Sequence, residues 1–207
     1  MILGALLVFR LAGGTVSPAA EASVPRPVGS LQKPWVVAAW AETHPGEPPP
    51  RLDCVPSSRC WLPSGHGRVD LPRAFALSCN SWFLALARAT PEEALSKALA
   101  SAGFDVPRPL SPEAAIGLGP LRSLPRIAPS ALLHAYRDLV VRPWPARDDL
   151  RRALLDGMRA AARDGTGAGL GRRGLLAKTG TVPSLDGRPL ATSGWALAAD
   201  AAGEEVH

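Results

Sequence analysis

The sequence predicts an α/β (α+β) fold in which helices flank an antiparallel sheet and an all-helical lobe is inserted between its strands. Three observations predict it. Strand-like segments lie near both ends of the chain, an apolar helix pattern follows the first of them, and a long helix-patterned stretch fills the middle. At 207 residues, with 46% hydrophobic and 20% charged side chains, the chain is long and apolar enough to bury one core.

Residues 5–11 and 15–17 read as a hairpin turning at Gly13-Gly14. The apolar opening and Ala20-Glu21-Ala22 have a trace of a secretory leader. However, no basic residue precedes the run and Arg10 ends it early, so the strand reading is preferred. Residues 31–40 predict a buried helix capped at Ser30 or its neighbour. Pro34 fits its first turn, where backbone N–H groups have no intrahelical acceptor.

Residues 44–72 read as loop-rich, with Pro48-Pro49-Pro50 and Ser64-Gly65-His66-Gly67 as punctuation. Residues 71–89 resume a helical pattern, interrupted at Ser78-Cys79-Asn80. Thr90-Pro91-Glu92-Glu93 reads as cap, first-turn proline and first-turn acids of a helix running to about 102 and stopping at Gly103. Residues 129–141 and 147–163 predict two more helices, the second with Leu150, Leu154 and Met158 on one face. A glycine-rich loop at 165–174 leads to a strand at 175–182. Its antiparallel neighbour at 194–199 is reached through Asp186-Gly187-Arg188-Pro189. The expected organisation is a single domain over 1–207, with a sheet part at 1–43 and 172–207 and a helical lobe at 44–171.

The formal charge of +5 comes from scattered arginines, without a basic run interleaved with aromatics, which argues against a nucleic-acid partner. No stretch reaches the roughly 18 apolar residues of a membrane span. The three cysteines are too few for a disulfide framework. Cys54 and Cys60 are close enough to pair in an oxidising compartment. Zinc held by Cys54, Cys60 and His44 or His66 is the sharper alternative, although the spacing matches no standard zinc pattern. Cys79 reads as a small packing residue. His66 and His134 read as structural or surface residues, and the six tryptophans as core.

The chemistry is expected where rare residues survive. The chain has one asparagine, Asn80, and three lysines, two of them Lys33 and Lys178. These fall in Ser30-Leu31-Gln32-Lys33, Ser78-Cys79-Asn80 and Lys178-Thr179-Gly180. Alone, the first is usually an exposed helix face, the second a turn or cap, and the third a strand end. Together, in this order and context, they are far more specific.

Three residues apart on a helix, Ser30 and Lys33 share a face, so an amine comes near a hydroxyl. Burial and a second cation, Lys178, would lower the Lys33 pKa toward that of a base. Free N–H groups at the helix start suit an oxyanion. Ser78 offers a proton relay, and Asn80 an amide for a substrate backbone. Lys178, Thr179 and Thr181 at a strand edge suit a peptide carboxylate, with Gly180 leaving room for close approach. The implied reaction is acyl transfer from a peptide ending in a carboxylate.

Gly29-Ser30-Leu31-Gln32-Lys33-Pro34 resembles the nucleophile segment of penicillin-binding protein transpeptidase domains. Leu77-Ser78-Cys79-Asn80-Ser81-Trp82-Phe83 resembles their second motif. Ala115-Ile116-Gly117-Leu118-Gly119, Ile127-Ala128-Pro129 and Ala135-Tyr136 resemble the stretch that follows. Gly157-Met158-Arg159, Gly165-Thr166 and Ala177-Lys178-Thr179-Gly180-Thr181 resemble the third motif and its approach.

The resemblance covers about residues 1–200 and implies a β-lactamase/transpeptidase-like fold. It implies Ser30 as nucleophile, Lys33 as base, and Ser78 with Asn80 in proton relay and substrate binding. Lys178, Thr179 and Thr181 would hold the terminal carboxylate, and the Ser30 and Thr181 amides the oxyanion. The implied substrate is the D-alanyl-D-alanine stem peptide of peptidoglycan, with β-lactams as mimics and cell-wall synthesis proteins as partners, in the periplasm or cell envelope. Neither cofactor nor metal is implied. Such domains close with a further strand and a C-terminal helix, so the chain is expected to be C-terminally incomplete, with that strand just beginning near Glu204.

A β-lactamase or β-lactam sensor on the same fold is the second reading. A class A β-lactamase needs a deacylating glutamate between the second and third motifs, where only Glu92, Glu93 and Glu113 occur. A truncated, non-catalytic partner-binding module is the third.

Overall fold

A computed structural model describes residues 10–12, 15–17, 22–56, 60–168, 174–183 and 192–207. Its main sheet has five antiparallel strands in the order β2-β1-β7-β6-β5. These are β1 (Arg10–Ala12), β2 (Thr15–Ser17), β5 (Leu176–Pro183), β6 (Thr192–Ala199) and β7 (Glu205–Val206). The antiparallel β1–β2 pairing agrees with the predicted hairpin, whose turn and first residues lie outside the described part. The link through Asp186 to Pro189 lies outside it as well. β7 is the strand expected to begin near Glu204, and it seats Val206 between Leu11 of β1 and Ala199 of β6. β5 pairs with β6 from Leu176↔Ala199 to Pro183↔Thr192 and forms the sheet edge.

Seven helices are described: α1 (Lys33–Thr43), α2 (Leu71–Ala76), α3 (Asn80–Ala89), α4 (Glu92–Ser101), α5 (Pro112–Ala115), α6 (Pro129–Val141) and α7 (Asp148–Asp164). α1 is apolar around its whole circumference and is accordingly central, with Trp35, Val36, Val37, Ala39 and Trp40 all buried. α7 buries Leu150, Leu154, Leu155 and Met158 on one stripe, as its amphipathic pattern predicts. It packs between α2 and β5 and so joins the helical part to the sheet edge.

The structure departs from the sequence-based expectation at three places. The loop-rich stretch at 44–72 also holds two strands that the sequence does not predict, β3 (Leu52–Cys54) and β4 (Gly67–Val69), which form a separate two-stranded antiparallel sheet. Three-residue strands lack the alternating run that reveals longer ones. The cap of α4 is Pro91 rather than Thr90, whose hydroxyl instead donates 2.8 Å back to the Leu86 carbonyl. The segment Gly29–Gln32 is a 3-10 turn feeding α1, so Ser30 lies inside a tight turn and is not a cap.

Candidate active site

The S-x-x-K segment is held in place from three sides. Tyr136 Oη donates 2.6 Å to the Leu31 carbonyl, and Gln32 Nε2 donates 2.7 Å to each of the Ala114 and Ala115 carbonyls. The third side is β5. Gly29 has φ +57°, and a Cβ there would run into the Thr181 carbonyl oxygen, while one on Gly180 would meet the Val28 carbonyl. Only glycine at both places lets strand and turn touch backbone to backbone. The Lys33 amide donates to the Ser30 carbonyl, and residues three apart in a 3-10 turn eclipse one another, so Ser30 and Lys33 rise on the same side.

The S-x-N motif breaks a helix in two. α2 ends at Ala76, and the Ser78 and Cys79 amides donate back to the Phe75 and Ala74 carbonyls at 3.1 and 2.8 Å. Ser78 has φ +50°, the sole positive φ at a non-glycine residue among those described. That conformation is uncommon and costs energy outside glycine, so the surroundings must enforce it.

Both motif lysines converge on this turn, and both are fully buried. Lys33 Nζ donates to the Ser78 carbonyl at 3.0 Å, to Ser78 Oγ at 3.2 Å and to Asn80 Oδ1 at 2.9 Å. Lys178 Nζ, reaching from β5, donates to the same Ser78 Oγ at 2.8 Å and to the Thr179 carbonyl at 2.7 Å. Ser78 Oγ is thus the bridge between two amines. Aromatic faces complete the enclosure, with Phe83 5.0 Å from Lys33 Nζ and Phe75 5.5 Å from Lys178 Nζ.

This setting disfavours charge. Burial brings Lys33 down from 10.5 to about 7, opposed in part by the thiols of Cys79 and Cys60. Lys178 is held well below its ordinary value, first by burial and then by the Lys33 charge.

Of the predicted residues, Lys33, Ser78, Asn80 and Lys178 form one connected network. Ser30 is half-buried at the turn preceding Lys33, and its hydroxyl makes no hydrogen bond to a described residue. Lys33 Nζ is directed to Ser78 and Asn80 instead. Thr179 Oγ1 donates to Thr166 Oγ1 at 2.8 Å, and the Thr166 amide donates to the Ala76 carbonyl at 3.1 Å. Thr166 therefore ties β5 to the helix end before Ser78, a role no local pattern in the sequence reveals. Thr181 is exposed on the edge strand, beside the Gly29 contact. Among the glutamates weighed for deacylation, Glu92 accepts from the Leu110 amide at 2.7 Å and Glu113 pairs with Arg88 at 3.0 Å.

No family model matches the sequence, and no curated protein sequence does either. The fold, however, matches solved structures. A penicillin-binding protein PBP2 from Helicobacter pylori, in complex with MreC, superposes at a TM-score of 0.71 with 20% identity, over 88% of this chain and 45% of that one. Pseudomonas aeruginosa PBP2 superposes at 0.67 with 17% identity, over 95% and 54%. A peptidoglycan synthase complex matches at 0.72 with 18% identity, over 90% and 42%. The chain has the fold of the penicillin-binding proteins. It spans about half the length of these structures, or somewhat less, and at such identities the likeness establishes the fold alone. No described helix is long and apolar enough to cross a membrane.

Proposed function

We propose that this chain is the acyl-transfer domain of a penicillin-binding, active-serine enzyme, a D,D-transpeptidase or D,D-carboxypeptidase acting on D-alanyl-D-alanine stem peptides of peptidoglycan. The observation that carries the reading is the buried bridge from Lys33 through Ser78 Oγ to Lys178. Two amines that burial drives toward neutrality, joined by one hydroxyl, form a proton-transfer relay.

In the proposed reaction, Ser30 Oγ attacks the carbonyl of the penultimate D-alanine while Lys33 takes its proton. Charged Lys33 uses all three N–H groups on Ser78 and Asn80. Neutral Lys33 has two N–H groups and a lone pair, so one of those bonds is exchanged for an acceptor role toward Ser30. The Ser30 and Thr181 amides hold the oxyanion, and the Gly29–Thr181 contact keeps their two segments together. The peptide C–N bond then breaks, and Ser78 Oγ delivers a proton to the departing D-alanine amine. Asn80 holds the substrate backbone. Lys178, Thr179 and Thr181 hold the terminal carboxylate, and Gly180 lets the strand approach. Attack by an amine or by water on the acyl-serine completes transfer or hydrolysis, and β-lactams acylate Ser30 in the same way.

On this reading, residues 1–43 and 172–207 form the sheet part of one domain and 44–171 its helical lobe. The protein works on the extracytoplasmic side of the membrane, with other cell-wall synthesis proteins as partners. The test is covalent labelling by a fluorescent penicillin. Wild type is expected to label and Ser30→Ala not to. A folded wild-type chain that does not label sinks the catalytic reading and favours a binding module. An adduct that turns over rapidly favours a β-lactamase.

A further inference from the structure

All three cysteines of the chain meet in one place, beside the S-x-N turn. The small β3–β4 sheet pairs Cys54 with Gly67, which brings His66 beside it. Cys60 comes from the loop between these strands. Cys79 follows Ser78 directly and occupies the cap position of α3. The ligand atoms of Cys54, Cys60, His66 and Cys79 all lie within 4.8 Å of one another.

The separations decide what this cluster is suited to. A tetrahedral ion with sulfur at about 2.3 Å and nitrogen at about 2.1 Å sets ligand sulfurs roughly 3.8 Å apart and sulfur to nitrogen roughly 3.6 Å. Cys60 Sγ lies 3.9 Å from Cys79 Sγ, and His66 Nδ1 lies 3.6 Å from Cys54 Sγ and 3.3 Å from Cys60 Sγ. A disulfide needs sulfurs at about 2.05 Å. His66 is buried, its Nε2 has no hydrogen-bond partner among the described residues, and its Nδ1 faces the sulfurs of Cys54 and Cys60. His44, the other histidine weighed for zinc, stacks on Trp40 at 3.5 Å instead.

We propose that Cys54, Cys60, Cys79 and His66 Nδ1 bind one zinc ion, which clasps the β3–β4 hairpin to the turn that carries Ser78. Three thiolates and an imidazole are a soft set suited to tetrahedral zinc, and four protein ligands leave no open coordination position. The ion is therefore structural. On binding, the three thiols release three protons and the imidazole stays neutral. The clasp acts where the backbone is least comfortable, since Cys79 adjoins the positive φ of Ser78. Trp61 and Ser81 flank it: Trp61 Nε1 donates to the Leu77 carbonyl at 3.0 Å, and Ser81 Oγ accepts from Cys54 Sγ at 3.7 Å. The resemblance implied no metal, so this site goes beyond it.

The ion's effect on acylation rests on the acyl-serine reading above, whereas its presence does not. The experiment is a cobalt(II) titration of the reduced full chain, with zinc as competitor. Elemental analysis of protein purified without chelator accompanies it. The expected result is about one ion per chain, a thiolate-to-cobalt charge-transfer band and the strong visible bands of tetrahedral cobalt. Cys60→Ser is expected to weaken binding at least tenfold, while Asp53→Ala, an exposed change on the same hairpin, leaves it unaltered. A folded, reduced wild-type chain without the charge-transfer band, or Cys60→Ser binding as tightly as wild type, overturns the site. Stripping the ion is expected to slow penicillin labelling at least tenfold. An unchanged rate overturns the link to Ser78. Labelling that is absent with or without metal instead counts against the catalytic reading and leaves the metal titration to judge the site by itself.

Discussion

The turn at Ser78 has two faces, each a buried polar cluster, and they differ in how burial is tolerated. On one face Lys33 and Lys178 sit fully enclosed, share Ser78 Oγ, and are driven toward neutrality. On the other, three thiols and an imidazole lie at ligand distances from one another. A buried amine can shed its proton to reduce the cost of burial, and its basicity is then available for chemistry. A thiol cluster is stabilised by gaining a cation, and the result is a fixed point rather than a reactive one. One residue of the same tripeptide serves each face: Ser78 turns to the amines, Cys79 to the sulfurs. The two faces should therefore respond to different perturbations.

The largest separation is expected from Lys33→Met, which keeps most of the side-chain volume and removes the amine. Penicillin labelling should fall by about 10²–10⁴-fold, the usual contribution of a general base, while cobalt binding stays at the wild-type level. Stopped-flow labelling and the cobalt titration on the same preparation check both halves. Parallel losses would mean that the faces form one unit.

pH should move the amine face next. With Lys33 at about 7, the neutral base is depleted below that value, so the labelling rate should fall about tenfold per pH unit under pH 7 and level off above it. The stability effect has the same sign. Between about 7 and 10.5 the unfolded chain holds a proton on Lys33 that the folded chain lacks, so this group makes folding more favourable as pH rises through that window. Denaturant midpoints from pH 7 to 10, for wild type and Lys33→Met, isolate its contribution. A midpoint difference that does not change with pH would mean that Lys33 is not depressed.

How much of this was legible follows the same division. The lysine face could be read from the sequence because a 3-10 or helical turn fixes the Ser30–Lys33 spacing locally, and Lys178 and Asn80 are rare in a composition that avoids both residue types. The α6 bounds and the β5–β6 pairing were likewise legible, because long periodic runs carry their own signal. The thiol face was only half legible. Cys54, Cys60 and His66 stand out in the sequence, but Cys79 reads as packing, since no local rule connects it to residues 13 or more positions away. β3 and β4 were too short to show a period, and it is their pairing that brings His66 back to Cys54. Nor could the sequence show that Lys33 would point at Ser78 and Asn80 rather than at Ser30, because that depends on where α2 and α3 break.

A smaller effect is expected where β5 meets the amine face. Thr166→Val removes the acceptor for Thr179 Oγ1 and leaves the threonine proposed for carboxylate binding free to rotate. The loss of one such hydrogen bond is worth about 0.5–1.5 kcal/mol, so labelling should slow by roughly two- to tenfold. The effect should appear as weaker binding of the penicillin before acylation, and the cobalt titration should not change. Loss of cobalt binding would show that β5, not the hairpin, holds the sulfur face in place.

Trp61→Phe should have the smallest effect and probes the clasp without touching a ligand. Trp61 is half exposed, its Nε1 donates 3.0 Å to the Leu77 carbonyl, and its ring centroid lies 5.3 Å from that of His66. Phenylalanine keeps the ring contact and loses the hydrogen bond, at about 0.5–1 kcal/mol in a partly solvated position. If the ion does the clasping, cobalt affinity should drop only about two- to fivefold and the labelling rate should stay within about twofold of wild type. If labelling instead falls tenfold while cobalt binding holds, the Ser78 turn depends on the indole for its shape. The sulfur cluster would then be a bystander to the chemistry on the other face, metal-bound or not.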